Sequence, residues 1–116
     1  LPFNNRGRSG VAAARADSDA ADASLAQTRL DTSFTRQEAQ TLLSAANQRL
    51  AALTGPGLRQ ATEAERLADT GYRAGRFSLL ELIDAQQALT STRLAIIEAQ
   101  LDRARALAAM ARANAQ

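Results

Sequence analysis

The sequence predicts an all-α fold and, within that class, a long antiparallel helical hairpin of coiled-coil type. Three observations carry this reading. Alanine makes up 28 of the 116 residues, and it has the best intrinsic helix propensity. Strand formers are scarce, with four Val plus Ile and four aromatic side chains in all, which all but removes a β-rich fold. The stretches 11–53 and 78–114 contain neither Gly nor Pro. Setting alanine aside leaves only 25 larger apolar side chains, 16 of them Leu. Burying a larger apolar side chain contributes roughly 1.5 to 3 kcal/mol and an alanine methyl well under that, so a compact single core is poorly supported. Long helices that approach one another closely, in an elongated or oligomeric arrangement, suit this composition better.

The elements follow in order. Residues 1–10, LPFNNRGRSG, hold a proline, two asparagines and two glycines and read as an irregular entry segment. A first helix then occupies 11–70, with about 43 residues and about 65 Å before its first interruption. That interruption is Thr54-Gly55-Pro56-Gly57. Pro56 offers no amide and its ring crowds the preceding turn, so the helix is expected to kink or break near 54–57. Residues 71–77 supply two glycines suited to a helix end and turn. Ser78 followed by Glu81 is a capping box, with Phe77 and Leu82 at the matching staple positions. It starts a second helix over 78–114, about 55 Å long. A connection this short favours an antiparallel hairpin, so the 116 residues form one unit.

The second helix carries two apolar rows. Alternating steps of three and four give Leu80, Ile83, Gln87, Thr90, Leu94, Ile97, Leu101, Ala104, Ala108 and Ala111 as one row. Leu82, Ala85, Leu89, Thr92, Ile96, Ala99, Arg103, Ala106 and Met110 form another. At about 100° per residue the rows lie roughly 160 to 170° apart, on opposite sides of the helix. Polar columns separate them, with Asp84, Ser91, Glu98, Asp102 and Arg105 on one side and Gln86, Arg93 and Gln100 on the other. A wall of side-by-side helices needs this pattern; a small bundle, which usually shows one wide stripe, is the other arrangement open to it. On the first helix Leu42, Leu43, Ala46, Leu50 and Leu53 keep a heptad rhythm.

Other absences narrow the chemistry. With no Cys and no His there is no disulfide framework, thiolate nucleophile, imidazole base or ordinary zinc or haem site. An enzyme is not expected, and neither is a cofactor. The missing cysteines do not decide the compartment. All 14 basic residues are arginine, against 12 acids in the same segments. Those arginines are neither gathered on one face nor interleaved with aromatic platforms, so no nucleic-acid partner is expected. No segment is apolar enough to be a transmembrane helix or a signal peptide, and with Leu1 at its start the sequence reads as an excerpt of a longer precursor.

Residues 71–108, GYRAGRFSLLELIDAQQALTSTRLAIIEAQLDRARALA, resemble the C-terminal repeat of the TolC-type outer membrane efflux proteins. The matching elements are Tyr72, Gly75, the run Leu79-Leu80-Glu81-Leu82, and Ile83-Asp84-Ala85-Gln86. The entry LPFNNRGRSGVAAARA, residues 1–16, is similar to the family's Pro-aromatic-Asn, Arg/Gly-rich passage from the last membrane strand into the long helix. Its wording is closest to the heavy-metal cation efflux branch. The resemblance implies a homotrimeric channel in the cell outer membrane, with a membrane β-barrel and a periplasmic α-barrel to which this chain supplies one hairpin. It also implies partners, a periplasmic adaptor protein and an inner membrane pump, for export of drugs or metal cations. By matching positions, the adaptor-contacting tip is Tyr72, Ala74, Gly75, Arg76 and Phe77. Glu81 and Asp84 match the acidic residues that constrict the pore. Phe77 departs from the pattern, because the best-known member has there an arginine that helps to lock the tip closed.

Glu81 is also fully accounted for by the capping box, and Asp84 by the preference for negative charge in the first turns of a helix. A second class of function shares the features read from the residues, that of a soluble coiled-coil scaffold or periplasmic adaptor hairpin that binds partners through its tip.

Overall fold

The computed structural model describes residues 2–115, with side chains described from residue 7. It is a helical hairpin with unequal arms. The first arm comprises α1 (Pro2–Ala52), a π-helical turn (Leu53–Gly57) and α2 (Leu58–Arg73); the second is α3 (Leu79–Asn114). The rod measures 108 × 20 × 15 Å, and its length is what about 72 residues at 1.5 Å each require. Its radius of gyration is 29.5 Å, against about 13 Å for a compact chain of about 100 residues.

The structure corrects three expected boundaries. The entry segment is helical from Pro2 onward, a position where a proline's missing amide and fixed φ suit a helix start. The first arm does not break at 54–57. The backbone widens instead into a π turn, with the Leu58 amide donating to the Leu53 carbonyl five residues back. In that register the Ala52 carbonyl, whose α-helical donor would have been the absent amide of Pro56, is passed to Gly57. Thr54 Oγ1 donates to the Leu50 carbonyl at 2.7 Å and ties the turn to the one before it. The first arm also ends later than 70, because Gly71 stays helical and α2 runs on to Arg73.

The arms meet along one narrow seam. On the first arm it holds Ala39, Ala46 and Ala68, buried, with Leu43, Leu50, Leu53, Leu58 and Ala61 half-buried between them. On α3 it holds Leu82, Leu89, Ala99, Ala106 and Ala113. Leu42, expected in the heptad row, is 53% exposed, and Ala39 opens the row in its place. Polar groups flank the seam. Arg49 Nη1 donates to Asp102 Oδ2 at 3.0 Å, with Glu98 at 3.9 Å, and Arg103 Nε donates to Asn47 Oδ1 at 2.9 Å. Arg103 thus stays on the side facing the first arm, where its spacing placed it, but is exposed at the margin of the seam. These groups are about half exposed or more, so each pair contributes at most about 1 kcal/mol and acts chiefly to fix register.

Two faces have no counterpart. The residues described from 7 to 38 are exposed apart from half-buried Thr32, so about 48 Å of the first arm projects past the end of α3. The opposite row of α3 is exposed throughout, with Leu80 at 67%, Leu94 at 56%, Ile97 at 60% and Leu101 at 50%.

Replacing Ser78 with Ala removes the acceptor at the start of α3 and is expected to lower stability by about 1 kcal/mol, measured by urea titration followed by circular dichroism. Equal midpoints for the two proteins would show that the cap contributes nothing.

Candidate functional site

The turn between the arms is built by a helix stop and a helix start placed back to back. Gly75 adopts φ +71, the one positive value among the described residues. Around it the Arg76 amide donates to the Gly71 carbonyl at 2.8 Å and the Gly75 amide to the Tyr72 carbonyl at 3.0 Å. This pair is a Schellman motif, which satisfies carbonyls that the end of α2 would otherwise leave without donors. A side chain at Gly75 would meet open space, so the demand for glycine there is conformational, not steric.

Gly71 is required for a different reason. The Phe77 ring folds back over it, and a Cβ at that position would run into the ring. The Phe77 amide also donates to the Gly71 carbonyl at 3.1 Å. Phe77 therefore closes the end of the hairpin, the role it plays here at the position where the resemblance leads one to look for a locking arginine. The sequence marked Gly71 only as a residue suited to a helix end; the signal for more was an aromatic residue six positions after a second, otherwise redundant glycine.

α3 begins immediately afterwards. Glu81 N donates to Ser78 Oγ at 3.2 Å, and Ser78 N donates to Glu81 Oε2 at 2.6 Å. Both halves of the capping box are present. The Glu81 carboxylate is thus committed to a backbone amide while remaining exposed. Asp84, one turn on, is exposed and has no ion-pair partner among the described residues.

The sequence-predicted tip residues come together at one end of the rod. Tyr72 is 41% and Phe77 43% exposed, and Ala74, Gly75 and Arg76 are exposed around them. Arg73 is held by Asp69 at 3.1 Å, whereas Arg76 has no carboxylate within salt-bridge reach among the described residues. The end surface therefore offers two partly exposed rings and one uncommitted guanidinium on a rigid, doubly capped turn. Further along α2, Glu63 and Arg66 pair on the surface. The hydrogen bond from Arg66 holds the Glu63 carboxyl below its usual range, and the same bond raises Arg66.

The described residues hold no group of three or more acidic, His or Cys side chains that could hold a metal ion. None of their helices is long and apolar enough to cross a membrane. What the geometry offers is surfaces: a tip, one exposed apolar row, and a projecting arm.

Comparison with curated proteins and with solved structures gave no match. The family model described as outer membrane efflux protein matches residues 1–116. That span takes in the tip, the capped start of α3 and both apolar rows, and it includes the two segments whose residues resemble that family. The chain belongs to the outer membrane efflux protein family.

Proposed function

We propose that this hairpin is one stretch of the periplasmic α-barrel of a trimeric outer membrane efflux channel, a passive conduit working with a periplasmic adaptor and an inner membrane pump. The observation that carries the reading is the division of labour on α3. One row is filled by the first arm, while the opposite row, Leu80 to Ala111, is exposed and uncovered among the described residues. A helix in a finished bundle has no reason to keep a second, largely apolar row roughly 160 to 170° from the first. A helix in a wall needs one. The family match over 1–116 favours this channel reading over an adaptor hairpin.

On this reading the rod stands across the periplasm with its turn at the far end, where Tyr72, Ala74, Gly75, Arg76 and Phe77 meet the adaptor. Glu81 and Asp84 lie one and two turns inside the tip and narrow the pore. The heavy-metal branch suggested by the entry segment makes metal cations the cargo to test first, ahead of drugs.

Three outcomes are expected. Leu94→Arg together with Ile97→Asp in the full-length protein should abolish the trimer on native gels while circular dichroism still reports a helical chain; an intact trimer refutes the wall. Arg76→Glu should reduce crosslinking to the adaptor and lower resistance to the exported compound, and wild-type resistance would remove the tip from the interface. Charge and cap can be separated at the constriction, because glutamine can replace glutamate in a capping box. Glu81→Gln with Asp84→Asn is expected to change single-channel conductance and cation block without loss of stability. Unchanged conductance leaves Glu81 with its cap alone.

A further inference from the structure

The seam divides the surface of the hairpin into two sides, each marked by a polar contact between the arms. Arg49 and Asp102 meet on one side, and Asn47 and Arg103 on the other. Arg49 comes one position before the seam residue Leu50 and Asn47 one position after Ala46, and one position is about 100° of rotation about the helix axis. The same rule sorts the charges between the π turn and the tip. Glu81, Asp84 and Glu98 each precede an α3 seam residue and fall on the first side. Arg93 follows one on α3, and Arg59 and Arg66 follow Leu58 and Glu65 on α2, with Arg73 continuing their column, so these four fall on the second. All four are exposed. Over the whole chain the 14 arginines are not gathered on one face; folding brings these four together, because Arg93 arrives from the other arm.

Two of the four are committed on their own helix and two are not. Arg73 is held by Asp69, and Arg66 donates to both carboxylate oxygens of Glu63. Glu63, four residues after Arg59, is the partner that helical spacing offers Arg59, and it is already taken. Neither Arg59 nor Arg93 has a carboxylate within salt-bridge reach among the described residues. Counting equally along both arms from the contact of Arg49 with Asp102 places Arg59 level with about residue 92, beside Arg93. Flanking positions of paired helices ordinarily carry opposite charges that bridge the two, as Arg49 and Asp102 do. Here two guanidiniums flank one stretch of seam and repel each other. A carboxylate brought from outside would relieve that repulsion and gain charge-assisted hydrogen bonds from both.

We infer that this side of α2 and α3 is a docking surface for an acidic helix of a partner protein, with one of its carboxylates seated between Arg59 and Arg93. The spacing of the column selects a helix. Arg59, Arg66 and Arg73 follow at steps of seven residues, about 10.5 Å, and carboxylates seven apart on a second helix laid alongside keep the same step. An extended strand covers that distance in about three residues, an odd number, which turns successive carboxylates to opposite faces. On the channel reading this surface points away from the pore, since Glu81 and Asp84 lie on the other side. The inference rests on the hairpin alone and holds whether or not a barrel forms.

The probe is a labelled helical peptide of alanine and glutamine with a glutamate at every seventh residue, titrated onto the full-length protein at low salt and followed by fluorescence anisotropy. It should bind on the order of tenfold tighter than a peptide of the same composition whose glutamates stand five residues apart. Arg59→Glu with Arg93→Glu should remove that advantage at unchanged helicity, and Arg59→Gln with Arg93→Gln should reduce it without adding new charge. Arg29→Glu with Arg112→Glu makes the same change in net charge on exposed residues elsewhere and should leave the advantage intact. The inference is overturned if the seven-spaced peptide does not bind, or if spacing makes no difference. It is overturned equally if the change at Arg29 and Arg112 weakens binding as much as that at Arg59 and Arg93, since net charge alone is then read. Tighter binding of a single-stranded oligonucleotide than of either peptide also overturns it, since the surface then reads phosphate.

Discussion

The structure depends on a seam made mostly of methyl groups. Of the buried apolar side chains among the described residues, Ala39, Ala46, Ala68, Ala99, Ala106 and Ala113 are alanine, and only Leu82 and Leu89 are larger. Small side chains at a helix contact bring the axes toward the short end of the usual 8 to 10 Å range. They also contribute little individually, so the pairing draws on backbone proximity and shape more than on transferred apolar area. This explains why polar groups stand at its margins. Arg49 reaching to Asp102, and Arg103 reaching to Asn47, set an alignment that interchangeable alanines cannot set themselves. It also explains why both arms keep apolar residues facing away from the seam. A rod held together this lightly leaves much of its apolar surface uncovered among the described residues.

The tip is bonded at both of its ends. Its turn is stopped on one side by the Schellman bonds at Gly75, started on the other by the box between Ser78 and Glu81, and lidded by Phe77 across Gly71. Few groups there retain conformational freedom, which lowers the entropy lost when a partner is engaged. The uncommitted Arg76 and the partly exposed rings of Tyr72 and Phe77 are the residue types that dominate recognition surfaces. Rigid presentation and suitable chemistry coincide at the one place where the chain reverses.

Where local chemistry decides an element, the sequence is readable. The serine and glutamate three apart define the start of α3, and the opposite rows of that helix are visible as spacing alone. The failures lie where a distant partner arbitrates. A proline rule foresees a lost hydrogen bond at Pro56, but whether the orphaned carbonyl finds another donor depends on an arm already held against α3, and there the backbone widens instead of breaking. Adjacent Leu42 and Leu43 satisfy a heptad equally well, and only the pairing rejects the first. Arg103 fits an apolar row by number, yet it stays exposed and bonds to Asn47 on the facing arm. The ring of Phe77 over Gly71 follows from the path of the turn, which spacing does not describe. Of the candidate site, the location of the tip was legible; the commitment of Glu81 to a backbone amide was legible too, from the same box.

The closeness in sequence of the groups that build the turn also governs the order in which the rod can assemble. Contacts at the tip join residues six apart, such as Gly71 and Phe77, whereas the polar pairs far down the arms join residues 53 and 56 apart. Closing a long loop in one step is entropically dearer than extending a loop already closed. Pairing from the turn outward is therefore the entropically cheaper order, each layer of the seam shortening the gap left for the next. Perturbations at the turn then act mainly on the rate of folding, and those near Ala39 and Ala113 mainly on the rate of opening. The stretch of the first arm before Ala39, which meets no facing helix among the described residues, lies outside this sequence of layers.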